Sequence, residues 1–492
     1  MLQPLLTKLG MLAGFFALFI GSATCNRPPA TAETLRPPSS TLTVGFGLAS
    51  GQGPESGLQQ ALSNISLEGL FSFSRDGRST AWLAENWSVS GDGKEGRLRL
   101  REGVTFHDGT PVNASLIREV LSKELPRHLG PTFSNITSIE APSEREVLVS
   151  LKARSNFLLE SLGFPVQAPN ASRTGTGAFS AAERKGNELE MLASPRYYGT
   201  RPFIDRILVK SYLSVRAAWA DLLRGNLDML YEVGVDALDS LEPSTATKVF
   251  TFPRPYAFML VLNVQRAILR DPAFRRTLNS AIDREQIVRD VLGGRGTPAD
   301  GPVSAQHWAY DESAPRFQFG GGDLPDFKRQ KHFSVVYADP SLERLALMIQ
   351  RQLQGVGVEV TLESGPLDQV LGRVQAGDFD AMLADAVNGP TMVRPSLWWH
   401  SRGPLNWGHY SSPAVDAALE AINRAPDDAA YKAGVGAFQR AIVDDPPAIF
   451  LAWSERARAV STRFEVPVEP GRDILSTLRL WRPVGAPALA KN

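Results

Sequence analysis

Residues 333–384 have the sequence FSVVYADPSLERLALMIQRQLQGVGVEVTLESGPLDQVLGRVQAGDFDAMLA. Buried-type or alternating residues predict strands at 333–337, 358–362 and 379–384. Between them, apolar residues recur at helical spacing, and Gly355 and Gly377 end the two predicted helices. This β-α-β-α-β order implies parallel strands with right-handed crossovers, and therefore an α/β fold.

The segment after the third strand is a candidate ligand-binding region. Open α/β sheets bind ligands beyond the carboxyl ends of their strands. Residues 385–400 combine tryptophans with polar side chains in a stretch that contains Gly and Pro, as pockets often do. The candidate ligand-binding residues here are Asn388, Arg394, Trp398 and Trp399. The alternative is that residues 397–399 begin a helix that packs on the core.

The composition excludes several classes of protein. The chain has 492 residues, of which 52 are basic and 52 are acidic, and 43% are hydrophobic. At about 150 residues per domain, this length predicts more than one domain. The balanced charge lacks the basic footprint of a nucleic-acid-binding protein. The mature chain has no stretch of about 18 apolar residues, so we expect a soluble protein.

The amino terminus has the pattern of an export signal. In residues 1–24, Lys8 precedes an apolar run that ends in small residues. The only cysteine, Cys25, follows directly and resembles the lipid-attachment site of bacterial lipoproteins. Because its flanking residues depart from the usual pattern, cleavage without lipidation is the alternative. Residues 25–40 form a proline-rich tether. We expect a periplasmic or other extracytoplasmic location.

Several motifs carry a resemblance to a known family. The most recognisable is LRLREGVTFHDGTP at 98–111. The others that follow it are GTGAF at 175–179, RYYG at 196–199, RRTLNSAIDRE at 275–285, YSSPAVD at 410–416 and DDPP at 444–447. In order and spacing they resemble the family 5 extracellular solute-binding proteins, which include oligopeptide-, dipeptide- and nickel-binding components of ABC importers.

The resemblance implies a bilobed periplasmic binding protein fold of type II, cluster C-like, with three domains around a hinge. It assigns 41–70, 166–255 and 455–492 to domain I, 71–165 to domain II and 256–454 to domain III. It also implies a monomer without a cofactor or enzymatic activity. Such a protein captures a solute between its lobes and delivers it to a permease with ATPase subunits. A ligand sensor without transport, or a nickel-type metal-chelate binder, is the alternative.

The chain departs from the peptide-binding members of this family in the loop after the third strand. Those members place an aspartate there for the amino terminus of the peptide. Residues 386–391 contain no acidic residue, and Asp385 lies too early. A buried ammonium without a carboxylate partner costs roughly several kcal/mol, so we do not expect this loop to capture an amino terminus. Arg394 instead favours an anionic or hydroxyl-rich ligand, and the alternative is that it is an ordinary exposed arginine.

Two more candidate ligand-binding residues lie near the predicted domain junctions. Arg173 is close to the probable hinge, where an arginine can reach a ligand carboxylate. The alternative for Arg173 is an ordinary surface charge. Tyr256 lies at the predicted crossing between domains I and III.

Other polar residues in the motifs are predicted to be structural. The pair at 107–108 belongs to an Asp-Gly turn, after which Asn113 caps a helix. Asn263 is predicted to satisfy backbone groups at a strand end, and Asp283 to cap or pair near a helix end.

The sequence offers little for catalysis or metal binding. It contains no G-x-S-x-G, H-E-x-x-H or P-loop motif. His400 and His409 lie near each other but outside any compact metal-ligand motif. We therefore predict neither catalytic residues nor a metal site.

Overall fold

The computed structural model describes residues 40–47, 54–168, 174–321 and 331–486. The predicted signal peptide, Cys25, nearly all of the tether and Arg173 lie outside these ranges. Within the ranges, no helix combines the length and the apolar character needed to cross a bilayer.

The strands, in chain order, are β1 Thr41–Gly47, β2 Glu68–Gly69, β3 Phe71–Phe73, β4 Ser79–Ala81, β5 Ala84–Val89, β6 Glu95–Leu100, β7 Ile136–Glu140, β8 Glu146–Leu151, β9 Pro165–Val166, β10 Phe179–Lys185, β11 Glu188–Ala193, β12 Arg206–Tyr212, β13 Met229–Leu230, β14 Thr247–Leu262, β15 Gly296–Pro298, β16 Lys331–Tyr337, β17 Val358–Ser364, β18 Ala381–Val387, β19 Ala448–Ser461, β20 Phe464–Glu465 and β21 Arg482–Pro483.

The α-helices are α1 Pro54–Ser66, α2 Ala114–Leu129, α3 Asn156–Glu160, α4 Val215–Leu223, α5 Val235–Leu241, α6 Pro272–Ser280, α7 Arg284–Gln286, α8 Glu343–Gln354, α9 Leu367–Gln375, α10 Val393–Trp399, α11 Pro413–Arg424 and α12 Asp428–Asp444.

A large mixed sheet forms the centre of the described structure. Its strand order is β10-β11-β12-β1-β13-β19-β14-β18-β16-β17, with β15 paired to β19. The long antiparallel strands β14 and β19 lie in the middle and connect its two halves. A separate antiparallel sheet has the order β5-β6-β8-β7. This mixed architecture confirms the predicted α/β class.

The predicted β-α-β-α-β unit is present. Strand β16 pairs in parallel with both β17 and β18, and α8 and α9 are the connecting helices. The third strand differs from the prediction because it runs over Ala381–Val387 rather than 379–384. Its last three residues continue an antiparallel ladder with β14, up to the pair Tyr256↔Val387. Pairing with a strand distant in sequence therefore extends β18 towards the candidate loop.

Three polar side chains, those of Asn113, Asn263 and Asp283, have the structural roles that the sequence predicted. The Asn113 side chain accepts a hydrogen bond from Leu116 N and caps α2, and Asp283 caps α7 in the same way. The Asn263 amide donates to the carbonyls of Gly377 and Phe379 at 3.2 and 3.0 Å. These contacts confirm the predictions for Asn113, Asp283 and Asn263.

Apolar side chains form four clusters in the described residues. The largest combines residues of 70–168 with residues of 257–453, and a second covers the other face of the parallel unit. A third cluster packs β1 and its neighbours against α1, and a fourth surrounds α4 and α5. The boundaries of the three predicted domains remain a prediction.

Arg284 is a buried cation that connects several backbone segments. It is 5% exposed. Its Nε donates to the carbonyls of Ala299 and Phe450 at 2.9 and 2.8 Å. Its Nη1 donates to the carbonyls of Asn279 and Ile282, and burial lowers the pKa of Arg284 to about 10. The planar guanidinium group of Arg284 therefore donates hydrogen bonds to carbonyl groups that have no access to water.

Replacing Arg284 with lysine tests this network. An ammonium group cannot reach all of these carbonyls, so several buried acceptors lose their donors. We expect Arg284→Lys to lower the free energy of unfolding by about 2–4 kcal/mol in chemical denaturation. The control is Arg289→Lys, because Arg289 pairs with its exposed neighbour Asp290. A loss of similar size in both variants would contradict this role for Arg284.

Candidate ligand cavity

A cavity of about 580 Å³ lies at the end of β18. Most of its wall comes from five stretches of chain, at 60–82, 231–256, 297–307, 388–395 and 453–473. Pockets of about 300–1,000 Å³ usually hold small organic ligands. The cavity thus has a suitable size, and its wall includes the start of the predicted binding loop.

An interruption of the central ladder shapes the cavity wall. The pairing of β14 with β19 shifts register between Pro253 and Ala257. Pro253 and Pro255 have no backbone N–H, so they cannot continue the ladder as donors. The carbonyl of Pro255 instead accepts from the backbone N–H groups of Asn388 and Gly389 at 2.8 and 3.1 Å. The loop after β18 is thereby attached to the irregular part of β14.

Asn388 and Tyr256 both line the cavity, as the candidate loop and the crossing strand suggested. Asn388 is 1% exposed. Its amide nitrogen donates to the carbonyl of Pro302 at 3.4 Å, whereas its Oδ1 is buried and has no hydrogen-bond partner among the described residues. The Arg254 guanidinium lies over the Tyr256 ring, 3.8 Å from its centroid. Contact of either residue with a ligand remains a prediction.

The candidate residues Arg394, Trp398 and Trp399 lie outside the cavity lining. Trp398 and Trp399 are buried on α10, and neither lines the cavity. The Trp398 indole donates to the carbonyl of Val387 at 3.1 Å, and Trp399 packs edge-on against Phe450. Residues 397–399 thus pack on the core, as in the alternative considered from the sequence, but they end α10 rather than begin a helix.

Arg394 also lies on α10, half-buried and outside the cavity lining. Burial lowers the pKa of its guanidinium, and the nearby Tyr256 opposes this shift. The helix therefore places Arg394 beside the rear of the wall rather than at its surface.

Asp385 forms ion pairs with two neighbouring arginines. Its Oδ2 lies 3.0 Å from Nη2 of Arg456 and 3.7 Å from Nη1 of Arg254. Burial raises the pKa of the Asp385 carboxyl, while the two arginines act in the opposite direction. Because Asp385 already has two cationic partners, it does not replace the aspartate that the loop lacks.

The sequence interpretation missed two arginines in the cavity wall. Arg456 contacts Glu232 at 3.2 Å, in addition to Asp385. Arg458 is 5% exposed, forms two hydrogen bonds with Asp473 at 2.6 and 2.5 Å and covers the ring of Tyr231. Their spacing of two on β19 was a weak signal for a shared face. Except for Asp473, their partners are distant in sequence and could not be identified from it.

His307 is a neutral polar group in the wall. It is 5% exposed, and burial lowers its pKa to about 4. Its Nδ1 accepts from the backbone N–H of Ala309 at 3.1 Å, so Nε2 carries the proton of the neutral ring. Nε2 is buried and has no hydrogen-bond partner in the described part of the chain.

Glu160 has a half-buried side chain whose carboxyl group joins three segments next to the wall. It accepts from the hydroxyl of Tyr431 at 2.5 Å and from the backbone N–H of Val393 at 2.9 Å. Burial is the dominant effect and raises its pKa from 4.5 to about 7, although both hydrogen bonds favour ionisation. Tyr431 belongs to α12 and Val393 begins α10, so Glu160 links α3 to two helices.

His107 has structural surroundings, and His400 has scattered partners. His107 Nε2 lies 2.9 Å from the carbonyl of Gly177, and Asp108 caps the turn at Thr110. This confirms the interpretation of that pair as part of a turn. His400 lies 3.7 Å from Asp416 and 3.8 Å from Glu420. The residues described contain no group of three or more side chains with a geometry for holding a metal.

The sequence resembles those of known proteins. Residues 79–406 match the family described as bacterial extracellular solute-binding proteins, family 5 Middle. Among curated relatives, the probable D,D-dipeptide-binding periplasmic protein DdpA of Escherichia coli is 26% identical over 404 residues, covering 75% of this chain and 78% of the relative.

Solved structures share the fold. The oligopeptide-binding protein AppA of Bacillus subtilis, in complex with a nonapeptide, has a TM-score of 0.72 at 22% identity, covering 90% of this chain and 99% of AppA. NikA of Brucella suis, in complex with Fe(III)-EDTA, has a TM-score of 0.76 at 18% identity, with 90% and 99% covered. The fold is therefore that of the type II periplasmic binding proteins of family 5.

The raised pKa of Glu160 predicts a pH dependence of stability. The folded protein keeps a proton that the unfolded chain releases between about pH 4.5 and 7. Ionising this carboxyl therefore lowers the free energy of unfolding as pH rises through that window, by at most about 3 kcal/mol.

The measurement is chemical denaturation of the wild type and Glu160→Gln from pH 4.5 to 8. We expect the wild type to lose stability relative to Glu160→Gln as pH rises, with no further relative loss well above pH 7. Glu140→Gln is the control, since Glu140 is exposed on β7. A constant difference between wild type and Glu160→Gln across the window would contradict the prediction.

Proposed function

Because the chain belongs to family 5 of the bacterial extracellular solute-binding proteins, we propose that it captures a small, polar, peptide-like solute in the 580 Å³ cavity and presents it to the permease of an ABC importer. The observation that carries this proposal is the composition of the wall. It has apolar aromatic surfaces, few unpartnered polar atoms and several fixed ion pairs, which is the usual character of a ligand pocket.

The position of the cavity supports capture by closure. Its wall includes residues from 60–82 and 471–473, in predicted domains I and II, and residues from 297–307 and 388–395, in predicted domain III. A ligand shifts the equilibrium towards the closed form only by the difference between its binding free energies for the closed and open forms. A ligand that contacts both sides of the cavity gains this difference. This requirement makes closure selective for solutes that reach both sides of the cavity.

The relatives support the chemical class of the solute. The names of DdpA and AppA refer to a dipeptide and to oligopeptides, and the AppA structure holds a nonapeptide. These ligands combine amide, amino and carboxylate groups. The wall of this cavity likewise combines unpartnered acceptors with arginines, so a peptide-like solute fits its polarity.

Export and assembly belong to the same proposal. Residues 1–24 direct the chain across the membrane, Cys25 carries a lipid anchor, and the mature protein acts as a monomer outside the cytoplasm. It performs no catalysis, and the permease and its ATPase subunits are its partners. Arg173, which is outside the described residues, is retained in this proposal as a candidate for binding a ligand carboxylate.

Within the cavity, Asn388 and Tyr256 are the proposed ligand contacts. Asn388 has an unused, buried Oδ1, and Tyr256 presents an aromatic ring held by Arg254. Arg394, Trp398 and Trp399 contribute by holding the loop in place, since they lie behind these contacts.

A thermal-shift screen of the mature protein tests the function. The probes are dipeptides, tripeptides, glutathione, sugars and nickel–histidine complexes. A solute at about 100 times its Kd stabilises the folded protein by about 2.7 kcal/mol. We expect stabilisation by at least one peptide-like probe, and isothermal titration to show that Asn388→Ala weakens binding of that probe about 10- to 100-fold.

The control variant is Asn226→Ala, because Asn226 is exposed and does not line the cavity. We expect it to bind like the wild type. If no probe raises the melting temperature, and a distance label across the cavity detects no closure, the proposed function is wrong.

A further inference from the structure

The hairpin of β3 and β4 carries a tight turn at residues 74–78. The strands pair up to Phe73 and Ser79, and the backbone N–H of Ser74 donates to the carbonyl of Arg78 at 2.9 Å. Gly77 has a φ of 88°, in the left-handed region that favours glycine. The turn is therefore well defined by its own hydrogen bonds, and it lies at the start of predicted domain II.

Arg78 extends from this turn to two segments of predicted domain III. Its Nη2 and Nη1 atoms donate to the Oδ2 and Oδ1 atoms of Asp428 at 2.7 and 3.3 Å, at the start of α12. Its guanidinium also lies over the Trp308 ring, 3.7 Å from the centroid. The backbone N–H of Trp308 donates in turn to the carbonyl of Asp76 at 3.0 Å. One arginine thus joins the turn to both segments.

The same turn approaches the loop after β18. A Cβ atom on Gly77 would lie 2.5 Å from the carbonyl oxygen of Pro390 and 3.2 Å from Nε2 of His307. The first distance is too short for a real contact, so the approach requires glycine at this position. Beside it, Arg75 bonds to the side-chain amide of Gln306. The turn therefore contacts a third segment of predicted domain III.

These contacts lie along the edge of the candidate cavity. Arg75 lines it from the side of the turn, and His307 and Pro390 line it from the opposite side. Arg78 does not belong to the lining. Because the contacts join protein groups to each other, they form without a solute. They must break when the two sides separate to admit one.

The strength of the contacts suits a reversible connection. The side chains of Arg78 and Asp428 are 49% and 67% exposed. An exposed ion pair and a cation–π contact are each weak, so together they change an equilibrium by roughly 5- to 30-fold. A bias of this size favours one arrangement of the two sides and still allows the other.

We propose that residues 74–78 form a latch that stabilises the closed arrangement of the cavity in the absence of solute, with Arg78 as its main contact. This inference rests on the proposed function, because it concerns the closure that captures the solute. The apparent affinity of a solute that binds the closed form rises with the fraction of protein already in that form. Arg78 therefore raises the affinity without touching the solute.

Distances between two spin labels test the latch without any solute. The labels are attached to Glu140→Cys on β7 and Gln375→Cys on α9, both at exposed positions, in a Cys25→Ser background. With no other change, we expect a population at the distance given by the structure. We expect Arg78→Ala to lower the ratio of closed to open protein about 5- to 30-fold.

A second pair of substitutions separates the latch from general destabilisation. We expect Asp428→Asn to lower the closed-to-open ratio less than Arg78→Ala does. The double variant should open no further than Arg78→Ala alone, because both changes remove the same contact. Arg97→Ala is the matched control, since Arg97 is 48% exposed and pairs with Glu95 within predicted domain II. We expect it to leave the ratio unchanged.

The glycine of the turn provides an independent variant. We expect Gly77→Ala to open the protein, because the added methyl group meets the carbonyl of Pro390. Gly103→Ala is its control, since Gly103 also has a positive φ but a Cβ there has no neighbour within 4 Å. Melting temperatures establish that each variant is folded. Equal opening by both glycine variants would contradict the contact with Pro390.

Binding supplies a further readout. For the probe of the thermal-shift screen that binds most tightly, we expect Kd for Arg78→Ala to rise by the factor by which its closed fraction falls. An unchanged Kd in a protein that has opened would contradict the effect on affinity.

The remaining outcomes separate the latch from the proposed function. If the protein without solute has no population at the closed distance, or if Arg78→Ala keeps the ratio within twofold, the latch is wrong, and a probe that still closes the protein leaves the function standing. If Arg78→Ala opens the protein but no probe changes the closed population of the wild type, the latch stands and the proposed function is wrong.

Discussion

The backbone ladder between β14 and β19 is the constraint on which the rest of the structure depends. These strands have 16 and 14 residues, so at about 3.3 Å per residue the longer one spans about 50 Å. They connect both halves of the large sheet through regular hydrogen bonds. Where Pro253 and Pro255 remove two donors, the ladder changes register and a free carbonyl holds the loop after β18. The cavity lies at this interruption, and a second register shift follows between Phe258 and Met259.

The arginine–carboxylate pairs then determine what the cavity can recognise. Asp385, Glu232 and Asp473 are each held by an arginine, so their charges contribute to a rigid wall rather than to ligand capture. Fixed pairs of this kind also limit the cost of enclosing charged side chains, because each charge retains a partner when water leaves. Selectivity for a solute therefore depends on the few polar atoms in the wall that have no hydrogen-bond partner in the described part of the chain.

Much of the fold could be predicted from the sequence because its signals are local. The periodicity of residues 333–384 predicted the parallel unit, and the caps at Asn113 and Asp283 involve bonds only three residues long. The predicted loop also contributes to the wall of the candidate cavity, because β18 ends there. The end of β18 was misplaced by three residues since its pairing with β14 is a long-range contact.

The details of the candidate site were harder to predict from the sequence, for physical reasons. The composition of residues 385–400 does not show which side chains face a cavity, and α10 directs Trp398 and Trp399 into the core. The pair between Arg456 and Asp385 joins residues 71 positions apart, and the contact between Arg458 and Tyr231 joins residues 227 positions apart. Such partners depend on how strands are ordered in the sheet, which no local pattern specifies.

The hydrogen bond from the Trp398 indole to the carbonyl of Val387 has an optical consequence. Val387 is the residue directly before Asn388, and Trp398 also packs edge-on against Trp407 at 5.4 Å between ring centroids. A displacement of the loop changes the polarity and the hydrogen bond that the indole experiences. Since indole emission responds to both, the protein contains its own fluorescent label one residue from the cavity wall.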